Sequence, residues 1–352
     1  MTAAMRTLPT RLPRHRQRGL SLVELMIGVT IGLAMLAALS SLYVATSKAR
    51  AEFNKTGEQV ENGRYALQSM VRDIEMAGFF GRPGLSATLQ YNLPGACTTA
   101  KSAMGFDNTT SPLTVPVALS GVAAGGAAPA CLTDMATGTE AITVHYASGN
   151  VSATASGTEY YLQQSSCTTD TKQLIYDSSA ANFTLLGKTC SGASPAELRK
   201  YVVRSYYLAG CDNCGSGGDS TPTLKVAEFI NGSIQVSSLV DGIQDVHLSY
   251  GVDTDGNGSP DCYVDNPAID NAAACTGSAG YAWTNVTTNW ANVTAVRVTV
   301  LARNLDPTTG WTDTRTYNLG RATPDGPYND AYKRHVYSAV ARLWNVGGVR
   351  EN

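Results

Sequence analysis

The side chains best suited to chemistry are concentrated in one acidic stretch, GVDTDGNGSPDC, which spans residues 251–262. Acidic and amide residues at alternating positions, followed by a glycine, match the first half of a calcium-binding loop, whose ligands are carboxylate, amide and carbonyl oxygens. Such hard oxygen donors suit Ca²⁺ and do not suit Zn²⁺. Val264 stands where such a loop places its bidentate Glu, so an acidic turn without metal is the alternative. The predicted ligands are Asp253, Asp255, Asn257, Ser259 and Asp261.

The eight cysteines all lie between Cys97 and Cys275. An even number of cysteines, confined to the later part of the chain, predicts disulfides formed in an oxidising compartment. CDNC at 211–214 is the only CxxC motif, and a zinc or redox site there is the alternative to a structural disulfide. Pairing between neighbours along the chain is the simplest arrangement. It would join Cys97 with Cys131, Cys167 with Cys190, Cys211 with Cys214, and Cys262 with Cys275.

No catalytic constellation accompanies these residues. The sequence has no nucleophile elbow, no phosphate-binding glycine loop and no convincing triad, and His145 and His247 lie in strand-like runs typical of structural histidines. The net charge of −2 gives no indication of nucleic-acid binding. We therefore expect a protein that is not an enzyme. A membrane-anchored exported enzyme would need a polar constellation in the later part of the chain.

The first 48 residues have a polarised charge pattern. Five arginines and no acidic residue precede Glu24, which is the only charge between Gly19 and Ser47. The predominantly apolar stretch from Leu20 to Val44 is 25 residues long, enough to span a bilayer as a helix, and the preceding arginines predict a cytoplasmic N-terminus. A secretory signal peptide has a shorter apolar core and does not explain Glu24. A carboxylate in lipid costs roughly 2.5–3.5 kcal/mol, so Glu24 calls for a functional explanation.

The stretch RGLSLVE resembles the type IV prepilin signature, in which a basic leader and a glycine precede an apolar residue and a glutamate. The resemblance implies that prepilin peptidase cuts between Gly19 and Leu20 and methylates the new amine of Leu20. Leu20 stands where the family usually has Phe. The resemblance also implies that Glu24 acts in assembly, by pairing with the N-terminal amine of a neighbouring subunit or its own.

Periodicity predicts that the helix continues beyond the membrane. Apolar residues recur every seven positions from Phe53 to Ile74, and no proline occurs from Gly19 to Arg82. Gly57 and Gly63 would weaken a free helix, so we expect this half to pack on a sheet. Glycines and a proline in MAGFFGRPG predict its end. Later β runs include AITVHYAS, TEYYLQQ, ANFTLLG and KYVVRSYYLAG, and Asn231-Gly232 predicts a hairpin, whereas residues 85–140 look loop-like.

Three further segments resemble PilW-type minor pilins: the helix end ENGRYALQSMVRDIEMAGFFG, the pair LVDGIQDVHLSYGVD and AVRVTVLARN, and the terminal KRHVYSAVARLWN. The implied fold is α+β, the type IV pilin fold, in which a long N-terminal helix packs on an antiparallel sheet that carries an enlarged, disulfide-braced β head. The expected domains are a leader (1–19), a transmembrane and filament-core helix (20–48), its amphipathic half (49–82) and an extracytoplasmic head (83–352).

The resemblance implies a minor pilin that primes or caps type IV pilus assembly at the tip. Expected partners are prepilin peptidase, the inner membrane, other minor pilins and the major pilin through the helix, and a large tip adhesin. The expected location is the inner membrane, with a periplasmic head, before assembly and the pilus afterwards. A minor pseudopilin of a type II secretion system is the alternative within this structural class. The alternative of another class is a membrane-anchored exported calcium-binding adhesin or enzyme.

Overall fold

The computed structural model describes residues 19–81, 89–109, 112–278 and 280–351. The chain divides into two compact units, residues 1–54 and residues 55–352. The described part of the first unit is helical from Leu22 onward, within α1 (Leu22–Met76), and its side chains are exposed. The second unit contains the rest of α1 together with the β strands, and it is the head.

The head is built mainly from antiparallel strands and has one further short helix, α2 (Val286–Ala291). The strands are β1 (Gln90–Asn92), β2 (Thr114–Pro116), β3 (Leu119–Val122), β4 (Ala141–Ser152), β5 (Tyr161–Gln164), β6 (Leu174–Asp177), β7 (Leu198–Ala209), β8 (Thr223–Ile230), β9 (Ser233–Asp241), β10 (Ile243–Val252), β11 (Cys262–Val264), β12 (Val293–Arg303) and β13 (Arg334–Arg342).

Two antiparallel sheets carry the head. The four-stranded sheet has the order β11-β10-β12-β13. The seven-stranded sheet has the order β3-β4-β7-β5-β6, and β8 pairs with the second half of β7 and carries β9 at its other side. β1 and β2 form a small parallel pair. This layout, an N-terminal apolar helix with antiparallel sheets, confirms the α+β fold class.

One large core joins α1 to both sheets. It contains Ala66, Met70 and Ile74 from the helix, the inward alternation Val296, Val298 and Val300 from β12, and residues such as Ile142 and Val202 from the seven-stranded sheet. The three valines are fully buried on the core side of β12. On its other side Arg297 is exposed but Thr299 and Leu301 are buried, so most of this strand is covered on both faces.

The buried stripe of the helix differs from the predicted one. Phe53, placed in the predicted stripe, is 78% exposed, whereas the polar Gln59 and Asp73 are buried. The full buried set is Gln59, Gly63, Ala66, Met70, Asp73 and Ile74. Apolar periodicity could not predict polar members of the stripe, because their burial depends on hydrogen-bond partners supplied by distant strands.

Local signals predicted some elements and missed others. Asn231 and Gly232 both have positive φ, as a two-residue hairpin turn requires, and join β8 to β9 as predicted. The run ANFTLLG, expected to be a strand, instead begins with a 3-10 turn at Ala180–Asn182. The segment expected to be loop-like from 85 to 140 contains β1, β2 and β3 among its described residues.

The four disulfides join Cys97 to Cys131, Cys167 to Cys190, Cys211 to Cys214, and Cys262 to Cys275. Each bond closes a loop between neighbours along the chain, and no described cysteine is free. Cys211 and Cys214 are therefore in a local disulfide, and the zinc-site alternative at this motif has no thiolates to use.

Gly57 and Gly63 have opposite surroundings on the same helix. A β-carbon at Gly63 would overlap the ring of Tyr337 on β13 and would lie 3.1 Å from the β-carbon of Ala302 on β12. A β-carbon at Gly57 would have nothing within 4 Å. Gly63 is thus a position where the helix backbone lies directly against the four-stranded sheet, whereas Gly57 has no neighbouring atoms of the head within this distance.

The two glycines therefore make a matched pair for mutation. Gly57→Ala should raise the free energy of unfolding by roughly 1 kcal/mol, because alanine is the better helix former. Gly63→Ala should lower it by about 1–2 kcal/mol, because overlap with the Tyr337 ring outweighs the same helix gain. Urea unfolding of the detergent-solubilised full chain would measure both. Equal stabilisation by the two substitutions would contradict this helix–sheet contact.

Candidate functional site

The predicted processing residues lie immediately before α1. Gly19 and Leu20 are exposed, Leu20 to 73%, and a β-carbon at Gly19 would meet nothing within 4 Å. The helix begins at Leu22, so the peptide bond between Gly19 and Leu20 lies outside the helical hydrogen bonds. Exposure of this bond outside the helix is compatible with cleavage by a peptidase. The arginines of the predicted leader lie outside the described residues.

Ser21 caps the start of the helix. Its hydroxyl accepts a hydrogen bond from the Glu24 backbone N–H at 3.2 Å, and its carbonyl accepts one from the Leu25 N–H at 3.1 Å. Ser21-x-x-Glu24 has the spacing of a capping box, a signal that the sequence interpretation overlooked. Glu24 is therefore in the first turn, where the helix dipole favours a negative charge.

The following stretch is apolar around its whole circumference. Large side chains on every face are exposed, among them Ile27 at 54%, Leu33 at 61% and Leu39 at 62%. α1 is long and apolar enough to cross a membrane. A helix that is apolar all round is normally buried, in lipid or against other helices. Gly28 and Gly32 are four positions apart and therefore lie on the same side of this helix. Two small residues at this spacing allow another helix to approach closely.

Within the head, polar side chains fix the second half of α1 to the sheets. The Gln59 amide donates to the carbonyls of Ala302 at 2.9 Å and Lys333 at 2.8 Å. At the end of the helix, the Asn345 amide lies 3.3 Å from the carbonyl of Ala77 and 3.4 Å from those of two preceding residues. These contacts satisfy carbonyls that a helix end would otherwise leave unpaired.

Asp73 is the centre of a buried network between the helix and the seven-stranded sheet. Its carboxylate accepts hydrogen bonds from the Tyr206 hydroxyl at 2.7 Å and the Tyr146 hydroxyl at 3.1 Å, and from Arg204 at 3.1 Å. Burial raises the pKa of both tyrosines, and the Asp73 charge raises it further. Arg204 also pairs with Glu228 on β8. The network holds the helix in one register on the sheet.

The acidic loop brings three of its predicted ligands together. One carboxylate oxygen from each of Asp253, Asp255 and Asp261 lies within 4.8 Å of the others. Asp253 is fully buried and the other two are exposed. This is the one group of three or more His, Cys, Asp or Glu side chains with such spacing in the part of the chain that the structure describes.

Arg350, near the C-terminus, already supplies a positive charge to this loop. Its guanidinium donates to Asp253 Oδ2 at 2.9 Å, and also to Asn292 and to the Ala291 carbonyl. The Gly258 N–H donates to the same oxygen at 3.0 Å. Although burial opposes ionisation, the Arg350 hydrogen bond holds the pKa of Asp253 below its usual value. The sequence interpretation missed Arg350, which lies 97 residues away.

The two remaining predicted ligands make hydrogen bonds inside the loop. The Ser259 N–H donates to the Asn257 side-chain oxygen at 2.8 Å, and the Asn257 amide donates to Asp255 at 2.9 Å. The Asp261 carboxylate accepts from the backbone and the hydroxyl of Thr254, both at 2.7 Å. These bonds define the turn without a metal, so Ca²⁺ binding stays a prediction.

The histidines in strands have structural surroundings. His145 is buried against Tyr201, whose hydroxyl lies 2.8 Å from its Nδ1, and burial lowers the pKa of His145 to about 4. His247 is buried beside Glu140, with 2.9 Å between Nδ1 and the carboxylate, and Arg321 pairs with the same carboxylate. Each histidine thus belongs to an internal polar contact of the head.

Comparison with protein families gave two matches. A family model described as type IV pilus-assembly protein W matches residues 205–345, from the second half of β7 to just beyond β13. A model of the prokaryotic N-terminal methylation motif matches residues 14–40, which include Gly19, Leu20 and Glu24. No curated protein matched the chain, and no solved structure did.

The two matches fall on different parts of one architecture. The methylation motif covers the exposed apolar start of α1, and the pilus-assembly match covers strands of both sheets, including all of the four-stranded sheet. Proteins of this kind build pili and are processed by prepilin peptidase, so their role is structural. By these two matches and by its fold, the chain is similar to pilin-like proteins of the PilW type.

Proposed function

We propose that this protein is a minor pilin that primes or caps type IV pilus assembly at the tip. The observation that carries the proposal is the exposed apolar start of α1, which bears one carboxylate, Glu24, at the fifth position after the predicted cleavage site. Prepilin peptidase would cut after Gly19 and methylate Leu20. The protein would wait in the inner membrane with its N-terminus cytoplasmic and its head periplasmic, and enter the pilus on assembly.

The proposed role of Glu24 follows from charge balance. Cleavage creates a cationic amine at Leu20, which enters an apolar bundle of helices when the subunit leaves the lipid. A carboxylate one turn along the helix can neutralise that amine in the same subunit or in a neighbour. Breaking a buried ion pair by removing one partner costs about 3–5 kcal/mol, so the pair would select the axial register of an incoming subunit.

The head supports a place at the tip. Beyond the helix, its described residues form the two large sheets and contain four disulfides. Repeated subunits must pack their heads closely along a filament, whereas a subunit at the end has free space on one side. The proposed partners are other minor pilins and the major pilin through α1, and a large tip adhesin through the head. The match to a pilus-assembly family favours this role over that of a pseudopilin.

The processing prediction concerns Gly19. The mature protein should begin at methylated Leu20, as mass spectrometry of its N-terminal peptide would show. Gly19→Phe should leave an uncut precursor that stays in the membrane, because the peptidase requires a small residue before the bond. Gly28→Phe, which places the same bulk nine residues later, should still be cut. A mature N-terminus beyond Ala45 would show an ordinary signal peptide and refute the proposal.

The assembly prediction separates the charge of Glu24 from helix capping. Glu24→Gln keeps a residue able to complete the capping box but removes the charge, and Ser21→Ala removes the cap but keeps the charge. Glu24→Gln should reduce the protein recovered in sheared pili at least about tenfold, whereas Ser21→Ala should remain near the wild-type level. Both should still insert in the membrane, because removal of a charge lowers the cost of insertion. Normal recovery of Glu24→Gln would rule out the charge-pair role.

The calcium proposal can be tested through Arg350. Ca²⁺ at the acidic loop would compete with the Arg350 guanidinium for Asp253. If the loop binds with a dissociation constant of about 10⁻⁴–10⁻³ M, 10 mM calcium should stabilise the head by roughly 1–3 kcal/mol. Arg350→Gln should be less stable in chelator and should gain more from calcium, whereas Asp255→Ala should gain little. Melting curves of residues 50–352 would measure this. If calcium changed the melting temperature of neither the wild type nor Arg350→Gln, the calcium proposal would be refuted and the loop would be an acidic turn without metal.

A further inference from the structure

The free edges of the two sheets differ in how well they are protected. An unpaired strand edge is a template for another chain, and proteins usually shorten it, charge it or cover it. β3, β6 and β11 are only three or four residues long. The Asn108 side chain also donates to the Leu174 carbonyl of β6. β13 is nine residues long but carries Arg342 and the exposed His335.

β9 is the exception. It has nine residues, pairs only with β8, and carries no charge and no proline from Ser233 to Val240. Its middle residues Gln235, Val236, Ser237 and Ser238 are all exposed. A strand of this length presents an edge of about 30 Å. The register shift at Leu239 and the charge of Asp241 lie at the far end of the strand, so the segment from Ser233 to Ser238 has no bulge, charge or proline.

Register shows which backbone groups are free. Ile230 and Ser233 flank the two-residue turn, and in such a hairpin this pair exchanges hydrogen bonds, as every second pair does after it. The N–H and C=O groups of Ile234, Val236 and Ser238 therefore point away from β8. They have no hydrogen-bond partner among the described residues. These three residues offer up to six backbone bonds to a further strand.

The edge runs directly to the exposed face of the helix. Asn62 on α1 donates to the carbonyl of Asp241, the last residue of β9, at 3.2 Å. Beside Asn62, the helix face around Gly57, Glu61 and Tyr65 is open, and Tyr65 is 52% exposed. A subunit whose helix lies along this face therefore has an unpaired strand edge within its reach.

We propose that β9 is a strand-addition site for another subunit of the same pilus, which pairs an extended segment with it. The inference rests on the proposed function, since it assumes that α1 packs with other pilus subunits. The partner strand should be uncharged and rich in β-branched or small residues, because Val236 and the serines of β9 provide no opposite charge. Main-chain bonds would supply affinity, and side chains flanking Val236 would supply selectivity.

A photo-crosslinking amino acid in place of Gln235 tests the proposal in living cells that make the full chain. The expected result is an adduct with another pilus subunit, identified by mass spectrometry. Ser238→Lys places a charge on the edge and should reduce that adduct at least about tenfold. Ser216→Lys, the same change in an exposed loop, should leave the yield unchanged. Equal melting temperatures of the two lysine variants would show that both still fold.

Three results would overturn the proposal: no adduct at Gln235, an adduct with a second copy of this chain, or an adduct that Ser238→Lys does not reduce. The proposed function has a separate measurement, the amount of wild-type protein in sheared pili. An adduct with a pilus subunit in the membrane would uphold the strand-addition site even if the protein were absent from the pilus.

Discussion

The structure depends on one unbroken helix that must satisfy two different surroundings. From Leu20 to Val44 its surface is apolar and unsuited to water, and from Lys55 onward it must fit against two sheets. No proline occurs in it between Leu22 and Met76. Within the head, polar contacts select which face of the second half of α1 lies against the sheets.

Those contacts are few and specific. Gln59 reaches two sheet carbonyls, Gly63 lets the backbone approach the Tyr337 ring, and Asp73 receives two hydroxyls and a guanidinium. Apolar packing alone tolerates sliding of a helix on a sheet. A buried carboxylate does not, because a shift of one residue would leave its charge unpaired at a cost of several kcal/mol. Asp73 therefore explains how so long a helix is held in a single register.

The head combines rigid and open features. Disulfides close its long connections, and Arg350 neutralises the buried Asp253, so the acidic loop is ordered by an internal ion pair. β9, by contrast, is left unpaired along its outer side. A braced head with one unprotected edge suits a subunit that meets a partner in a defined orientation. The same edge would favour aggregation in a protein that remained alone.

Several features of this protein could be predicted from the sequence because they depend on neighbouring residues. The basic leader, Glu24 and the apolar run from Leu20 to Val44 indicate a prepilin, the Asn231-Gly232 turn indicates a hairpin, and the order of the cysteines indicates their pairing. Features that depend on residues far apart came only from the tertiary structure. The Asp73 network joins residues more than 70 positions apart, and Arg350 reaches Asp253 across 97 positions. β9 is an edge because β8 is its only partner among the described strands. Periodicity shows which face of an element is apolar. It does not show which distant side chain will pair with a buried charge, or which strands will pair with each other.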